Sequence, residues 1–174
     1  VRHEAIAPAR TGEAGRSLQL ARALALLLPA ALLAGAWGSQ LIGGLHPCEM
    51  CHWQRWPHYA ALAPAALAFA IQGRARVLLI GAAAMLIAVS GAIGVFHAGV
   101  EYGWWQGITG CTSTIDLSAG ASAEDRLRAI LNAPINRCDR APWTLAGVSL
   151  AGFNAIFSLG GALTIFCLLT RRAR

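Results

Sequence analysis

Four apolar runs govern what this chain can fold into. They are Leu18 to Ile42, Pro57 to Gln72, Val77 to Val100 and Trp143 to Leu169. A helix needs about 20 residues to cross the hydrocarbon core of a bilayer, and three of the runs exceed that. In hydrocarbon the backbone must satisfy its own hydrogen bonds, so such runs become helices rather than loops or open strands. The second run is short and carries Pro64, so its helix begins earlier, near Trp53. Of 174 residues, 56% are hydrophobic and 13% charged, which is too apolar for a soluble domain of this size. A cleaved signal peptide would also place arginines before an apolar stretch, with small residues at Ala34 to Ala36. The first run is longer than the roughly 7–15 residues of a signal core, which favours a retained helix.

The expected fold is an all-α membrane protein, a four-transmembrane-helix bundle with two outer cysteine-bearing loops and a short surface helix. Its single domain covers 18–170, with spans at 18–42, 55–72, 77–100 and 143–169. Outer loops fill 43–54 and 101–142, a basic tail covers 1–17, and a basic end covers 171–174. Orientation follows from the arginines, which supply all the strongly basic charge because the chain has no lysine. Arg2, Arg10, Arg16, Arg22, Arg74, Arg76, Arg171, Arg172 and Arg174 flank one side of the runs. The other side carries Arg55, Arg126, Arg128, Arg137 and Arg140 against Glu49, Glu101, Asp116, Glu124, Asp125 and Asp139. By the positive-inside rule both termini and the Arg74/Arg76 turn are cytoplasmic, and the cysteine loops face outward. Trp37, Trp53, Trp56, Trp104, Trp105 and Trp143 fall near that outer face, as an aromatic belt does. In the second outer loop, Glu124 to Leu131 has apolar residues at helical spacing, which suits a helix lying on the membrane surface.

The chemistry concentrates in Pro47-Cys48-Glu49-Met50-Cys51-His52-Trp53-Gln54-Arg55. A C-x-x-C disulfide closes so short a loop that it removes little chain entropy, and is a poor staple. It makes better sense as an exchangeable pair, with Arg55 favouring the thiolate that attacks in disulfide exchange. Cys111 and Cys138 lie near the two ends of the second outer loop, where disulfides persist. Cys167, at the other end of the last run, reads as an inert buried hydrophobe. Ligation of zinc by four sulfurs fits badly, because 26 residues separate Cys111 from Cys138 instead of two to four. Cys48-x-x-Cys51-His52 also matches the haem-attachment pattern, so a membrane-anchored c-type cytochrome is the alternative, with His46, His58 or His97 as a second axial ligand. Asn154, within the last run, reads as interhelical glue.

Several motifs together resemble the DsbB-type disulfide bond formation proteins of bacterial inner membranes. They are Pro47-Cys-Glu-Met-Cys51 with Trp53-Gln54-Arg55, His97-Ala-Gly-Val-Glu101 before Cys111, and Cys138-Asp139 before Pro142-Trp143, which would open the last helix. The resemblance covers essentially everything after the tail. It implies a thiol:quinone oxidoreductase in a multi-pass inner-membrane protein, part of the relay that keeps a bacterial periplasm oxidising. In that scheme a periplasmic, DsbA-like thioredoxin-fold protein attacks a Cys111–Cys138 disulfide. Cys48 and Cys51 then reoxidise that pair and pass two electrons to a quinone, with ubiquinone favoured over menaquinone. Arg55, His97 and Trp53 are the implied quinone-binding residues. No metal and no nucleic acid is implied. His52 departs from the apolar residue more usual there, and that departure creates the haem-like pattern.

Overall fold

The computed structural model describes residues 7–109, 122–132 and 137–172. Within them lie five helices: α1 (Ala7–Leu41), α2 (Glu49–Ala70), α3 (Gly73–Glu101), α4 (Ala123–Asn132) and α5 (Leu150–Arg172). Strands β1 (Thr144–Leu145) and β2 (Val148–Ser149) form a small hairpin just before α5. The chain is an all-α, multi-span helical bundle. Among the described residues three segments are long and apolar enough to cross a membrane: Gly12–Leu41, Gly73–Glu101 and Leu150–Arg171. Helix α2 is not among them, because Gln54, Arg55, His58 and two prolines, Pro57 and Pro64, dilute its hydropathy.

Several helix ends differ from the sequence expectation. Helix α1 continues back through 7–17, the region expected to be a tail. Pro8 sits in its first turn, where a missing N–H costs nothing. Helix α2 begins at Glu49, four residues before Trp53, because the Cys48 sulfur accepts the Cys51 amide and caps the helix. Glu49 in the first turn complements the dipole. At the other end the Ile71 amide donates to the Leu67 carbonyl, and Arg76 Nε donates to the Ile71 carbonyl at 2.8 Å. One arginine of the basic turn therefore closes the α2–α3 connection.

The last apolar run divides in two. Trp143 does not open α5: the backbone turns at Ala146 (φ 51°) and Gly147 (φ 79°), both in the left-handed region. Two positive φ values at the centre of a two-residue loop match the twist of a tight hairpin. The Tyr102 hydroxyl donates to the Gly147 carbonyl at 3.0 Å and accepts the Ser149 amide at 2.8 Å, pinning the hairpin to the end of α3. Ser149 Oγ then accepts the Gly152 amide, capping α5. The expected surface helix is present as α4. Ser122 Oγ accepts the Asp125 amide and donates to its carboxylate, capping the start of the helix, and Arg128 pairs with Glu124 one turn away.

The four long helices pack as a ring in the order α1, α2, α3, α5, each against two neighbours. The inside is small and the outside large. Ala21, Ala25, Ala61, Ala65, Ala68, Ala83, Ala84 and Ala162 form the core with Ile80, Ile87 and Ile165, while Leu27, Leu78, Met85, Phe157 and Leu163 are exposed. Lipid tails are as apolar as leucine, so close approach of small residues, not leucine burial, holds such a bundle. At Gly94 an added Cβ would meet the Ala151 carbonyl and the Asn154 amide at 3.0 Å, which keeps α3 and α5 in backbone contact. Above the alanine core, Gln54, His58, Ser90 and Ser158 form a buried polar layer. Beyond it Cys48, Met50, Val100 and Cys138 make a second, smaller cluster.

Candidate functional site

Cys48 and Cys51 share the first turn of α2. Both are free thiols, with sulfurs 2.9 Å apart. The hydrogen bond between them dominates their acidity. It holds Cys51 below the ordinary thiol range against the opposing cost of burial, with Arg55 adding a smaller favourable charge. The same hydrogen bond, followed by burial, pushes Cys48 far up. Of the reduced pair, Cys51 is therefore the more acidic thiol and Cys48 the hydrogen-bond partner that makes it so.

A chain of hydrogen bonds with a fixed direction leads into this pair. Gln54 Nε2 donates to the Met50 carbonyl at 3.2 Å, and a carbonyl can only accept, so the Gln54 amide orientation is set. The same Nε2 lies 2.7 Å from His97 Nδ1, which must therefore carry a lone pair. His97 consequently bears its hydrogen on Nε2, directed at the Cys48 sulfur at 3.5 Å and Glu101 Oε1 at 3.7 Å. Gln54 Oε1 accepts from Asn154 Nδ2 at 2.9 Å, linking the chain to α5.

Cys138 completes the cluster. Its sulfur, the Cys48 sulfur and a His97 ring nitrogen lie within 4.8 Å of one another, all from buried residues. That donor set could hold a soft or borderline cation. The tautomer opposes it, because Nε2 presents a hydrogen where a metal requires a lone pair. Cys138 is itself a free thiol, and the expected Cys111–Cys138 pairing involves a residue outside those described. Arg137 and Asp139 flank Cys138 as an exposed ion pair, which holds the Asp139 carboxyl below its usual range. A cavity of about 390 Å³ over the cluster is lined by Leu45, His46, Cys48, Cys51, His97, Arg137 and Arg140.

A second cavity, of about 250 Å³, lies on the other side of Cys51, between α1, α2 and α5. Leu32, Leu33, Ala36, Ala151, Phe153 and Phe157 make it apolar, and Cys51, Gln54, Arg55, His58 and Asn154 give it one polar wall. Arg55 is buried in that wall. It donates to Gln40 Oε1 at 2.8 Å and the Ala36 carbonyl at 3.1 Å, and it stacks over Trp37 with 5.4 Å to the ring centroid.

The structure thus gathers Cys48, Cys51, Cys138 and His97 at one cluster, with Arg55 next to Cys51. His97 lines the outer cavity, not the apolar one, and Trp53 packs against the cysteine cluster. His52 is exposed on α2. Cys167 is exposed as well, contrary to its reading as buried, because it falls on the outer face of α5. Sequence reasoning overlooked Gln54 and His58 at the apolar cavity. The available signal was spacing: positions 51, 54, 55 and 58 share one face of a helix.

The family model for disulfide bond formation protein DsbB matches residues 18–168. The chain belongs to the DsbB family. No curated protein and no solved structure gives a significant match. Membership makes this chain a thiol-based oxidoreductase of disulfide bond formation, placed in the inner membrane as a multi-pass protein. Its apolar helices and its cysteine cluster beside a histidine are consistent with that membership.

Proposed function

We propose that this protein oxidises a periplasmic, DsbA-like thioredoxin-fold dithiol and passes the two electrons through its cysteines to a membrane quinone. The observation that carries the reading is the position of Cys51: its sulfur is bounded by thiols on one side and an apolar cavity with a buried arginine on the other. A quinone bound there supplies an acceptor for two electrons and two protons, with ubiquinone favoured over menaquinone. The cavity suits one substituted ring, being close to the smallest ligand pockets, which start at about 300 Å³. Arg55, Gln54 and Cys51 would hold it. In this reading His97 and Trp53 serve the cysteine cluster instead of the ring.

The thiol steps balance as four exchanges. The partner's thiolate attacks the Cys111–Cys138 disulfide; the partner's second thiol resolves the mixed disulfide, leaving the partner oxidised and the loop pair reduced. The Cys138 thiolate then attacks Cys48 of the Cys48–Cys51 disulfide and displaces the Cys51 thiolate. Cys111 attacks the Cys48–Cys138 bond, restoring Cys111–Cys138 and leaving Cys48 and Cys51 reduced. The placement of Cys138 beside Cys48 supports the third exchange. So does the lowered pKa of Cys51, since a more acidic thiol leaves faster. His97 Nε2–H steadies developing charge on the Cys48 sulfur. We read the cluster as a site of thiol exchange with no resident metal. Helix α2 is the fourth membrane crossing in this account, and both termini are cytoplasmic.

The Cys111→Ser variant tests the order of exchange. Without Cys111 to resolve it, the bond made when the Cys138 thiolate opens a quinone-oxidised Cys48–Cys51 disulfide should accumulate as Cys48–Cys138, read by peptide mass mapping under non-reducing conditions. Exclusive recovery of Cys48–Cys51, with Cys138 as a free thiol, would contradict the relay.

A further inference from the structure

His58 takes no part in the thiol exchanges, yet it is buried at 3% exposure in the polar wall of the apolar cavity. Its surroundings fix its tautomer. Asn154 Nδ2 donates to the Ser90 carbonyl at 3.2 Å, so Asn154 Oδ1 is the atom 3.0 Å from His58 Nε2. Ser90 Oγ gives its proton to the Gln54 carbonyl at 2.7 Å and so offers His58 Nε2 a lone pair at 2.9 Å. Both neighbours accept, so Nε2 carries the hydrogen and Nδ1 holds a lone pair. His58 Nδ1 is buried with no hydrogen-bond partner. An unmatched buried acceptor is costly, and polar atoms left so in a site are commonly completed by a ligand.

We propose that His58 Nδ1 accepts a hydrogen bond from a hydroxyl of the reduced ring, so that the cavity holds a hydroquinone more tightly than the corresponding quinone. This rests on reading the cavity as the quinone site. A quinone ring has carbonyl acceptors only and offers His58 nothing. Oxidation of the Cys48 and Cys51 thiols to a disulfide releases two electrons and two protons, and their uptake converts both ring carbonyls to hydroxyls. One of these is the donor that Nδ1 lacks. No bond to His58 forms or breaks. Arg55, a pure donor, serves the oxidised carbonyl. The two residues lie one turn apart on α2 and recognise opposite redox states. His58 is therefore a positioning residue that favours product formation.

The test uses the full chain carrying Cys48→Ala and Cys51→Ala, in which no electrons pass between protein and ring. Calorimetric titration with a short-chain ubiquinone analogue and its hydroquinone, without oxygen, measures the two dissociation constants. With His58 present, the hydroquinone should bind about tenfold tighter, the size of one good buried hydrogen bond. His58→Gln places its amide near the Nε2 position, so it should keep the Ser90 and Asn154 contacts and the melting temperature but lose the preference. His58→Asn places a polar atom near Nδ1, so it should keep most of the preference while melting earlier. A purely structural His58 predicts an undiminished preference in His58→Gln, and that result, or equal binding of both rings to the His58 protein, would overturn the proposal. Failure of either ring to bind overturns the cavity assignment along with it.

Discussion

At the scale of single residues, the asymmetry between Cys48 and Cys51 is the most informative feature. Their shared hydrogen bond lowers the pKa of Cys51 and raises that of Cys48. A lowered pKa means the thiolate survives further as pH falls. Reduced protein should therefore be alkylated first at Cys51, and this should persist below pH 8, about where a free thiol is becoming protonated. Cys48 should stay unreactive to higher pH. Iodoacetamide labelling across pH with peptide mass readout checks both, and Cys48 reacting first would contradict the assignment. Arg55 makes a second test. Arg55→Ala should lower kcat/KM for quinone by roughly tenfold or more, as loss of a charged hydrogen-bond donor does, and cost a smaller share of stability. A drop in Tm with unchanged quinone kinetics would refute its role. The C-x-x-C and Arg55 were legible in the sequence because the chemistry is local and contiguous. The division of labour between the two histidines was not, since His97 and His58 are told apart only by which cavity each reaches.

At the scale of elements, the polar layer joins α2, α3 and α5 through Asn154, which contacts Gln54, Ser90, His58 and Ser158. Replacing it with leucine leaves several buried groups unmatched. Asn154→Leu should lose about 2–4 kcal/mol of stability, measured by unfolding in detergent, because each orphaned group costs roughly 1–3 kcal/mol. A loss under 0.5 kcal/mol would show that the layer relaxes freely. Helices were readable from apolar runs because hydrocarbon leaves the backbone no alternative. The start of α5 was not, since Trp143, Leu145 and Val148 of the hairpin are as apolar as the helix that follows. Only Gly147 hinted at the turn, and the Tyr102 staple that stabilises it comes from 45 residues away. The Cys48 cap was equally hidden, because sulfur is an unusual N-cap and the apolar run begins later.

At the scale of the whole molecule, α2 must cross the membrane although its prolines and the polar residues of its first half dilute its hydropathy. Arg74→Cys, in a background without other reactive thiols, places a label at the α2–α3 turn. It should be shielded from a membrane-impermeant thiol reagent in intact cells and react after permeabilisation. Labelling in intact cells would leave α2 on the outer side and break the predicted topology. With α2 inserted, the cysteine cluster and the apolar cavity lie at one end of the bundle, on either side of Cys51, which is the arrangement a relay between a water-soluble dithiol and a lipid-soluble ring demands. The most direct measurement of that relay is an anaerobic single turnover, in which purified protein meets a reduced DsbA-like partner and a soluble quinone while quinone absorbance is followed. The account predicts one quinone consumed per partner dithiol oxidised, abolished by Cys51→Ser. Partner oxidation without quinone loss, or quinone loss that survives Cys51→Ser, would contradict it.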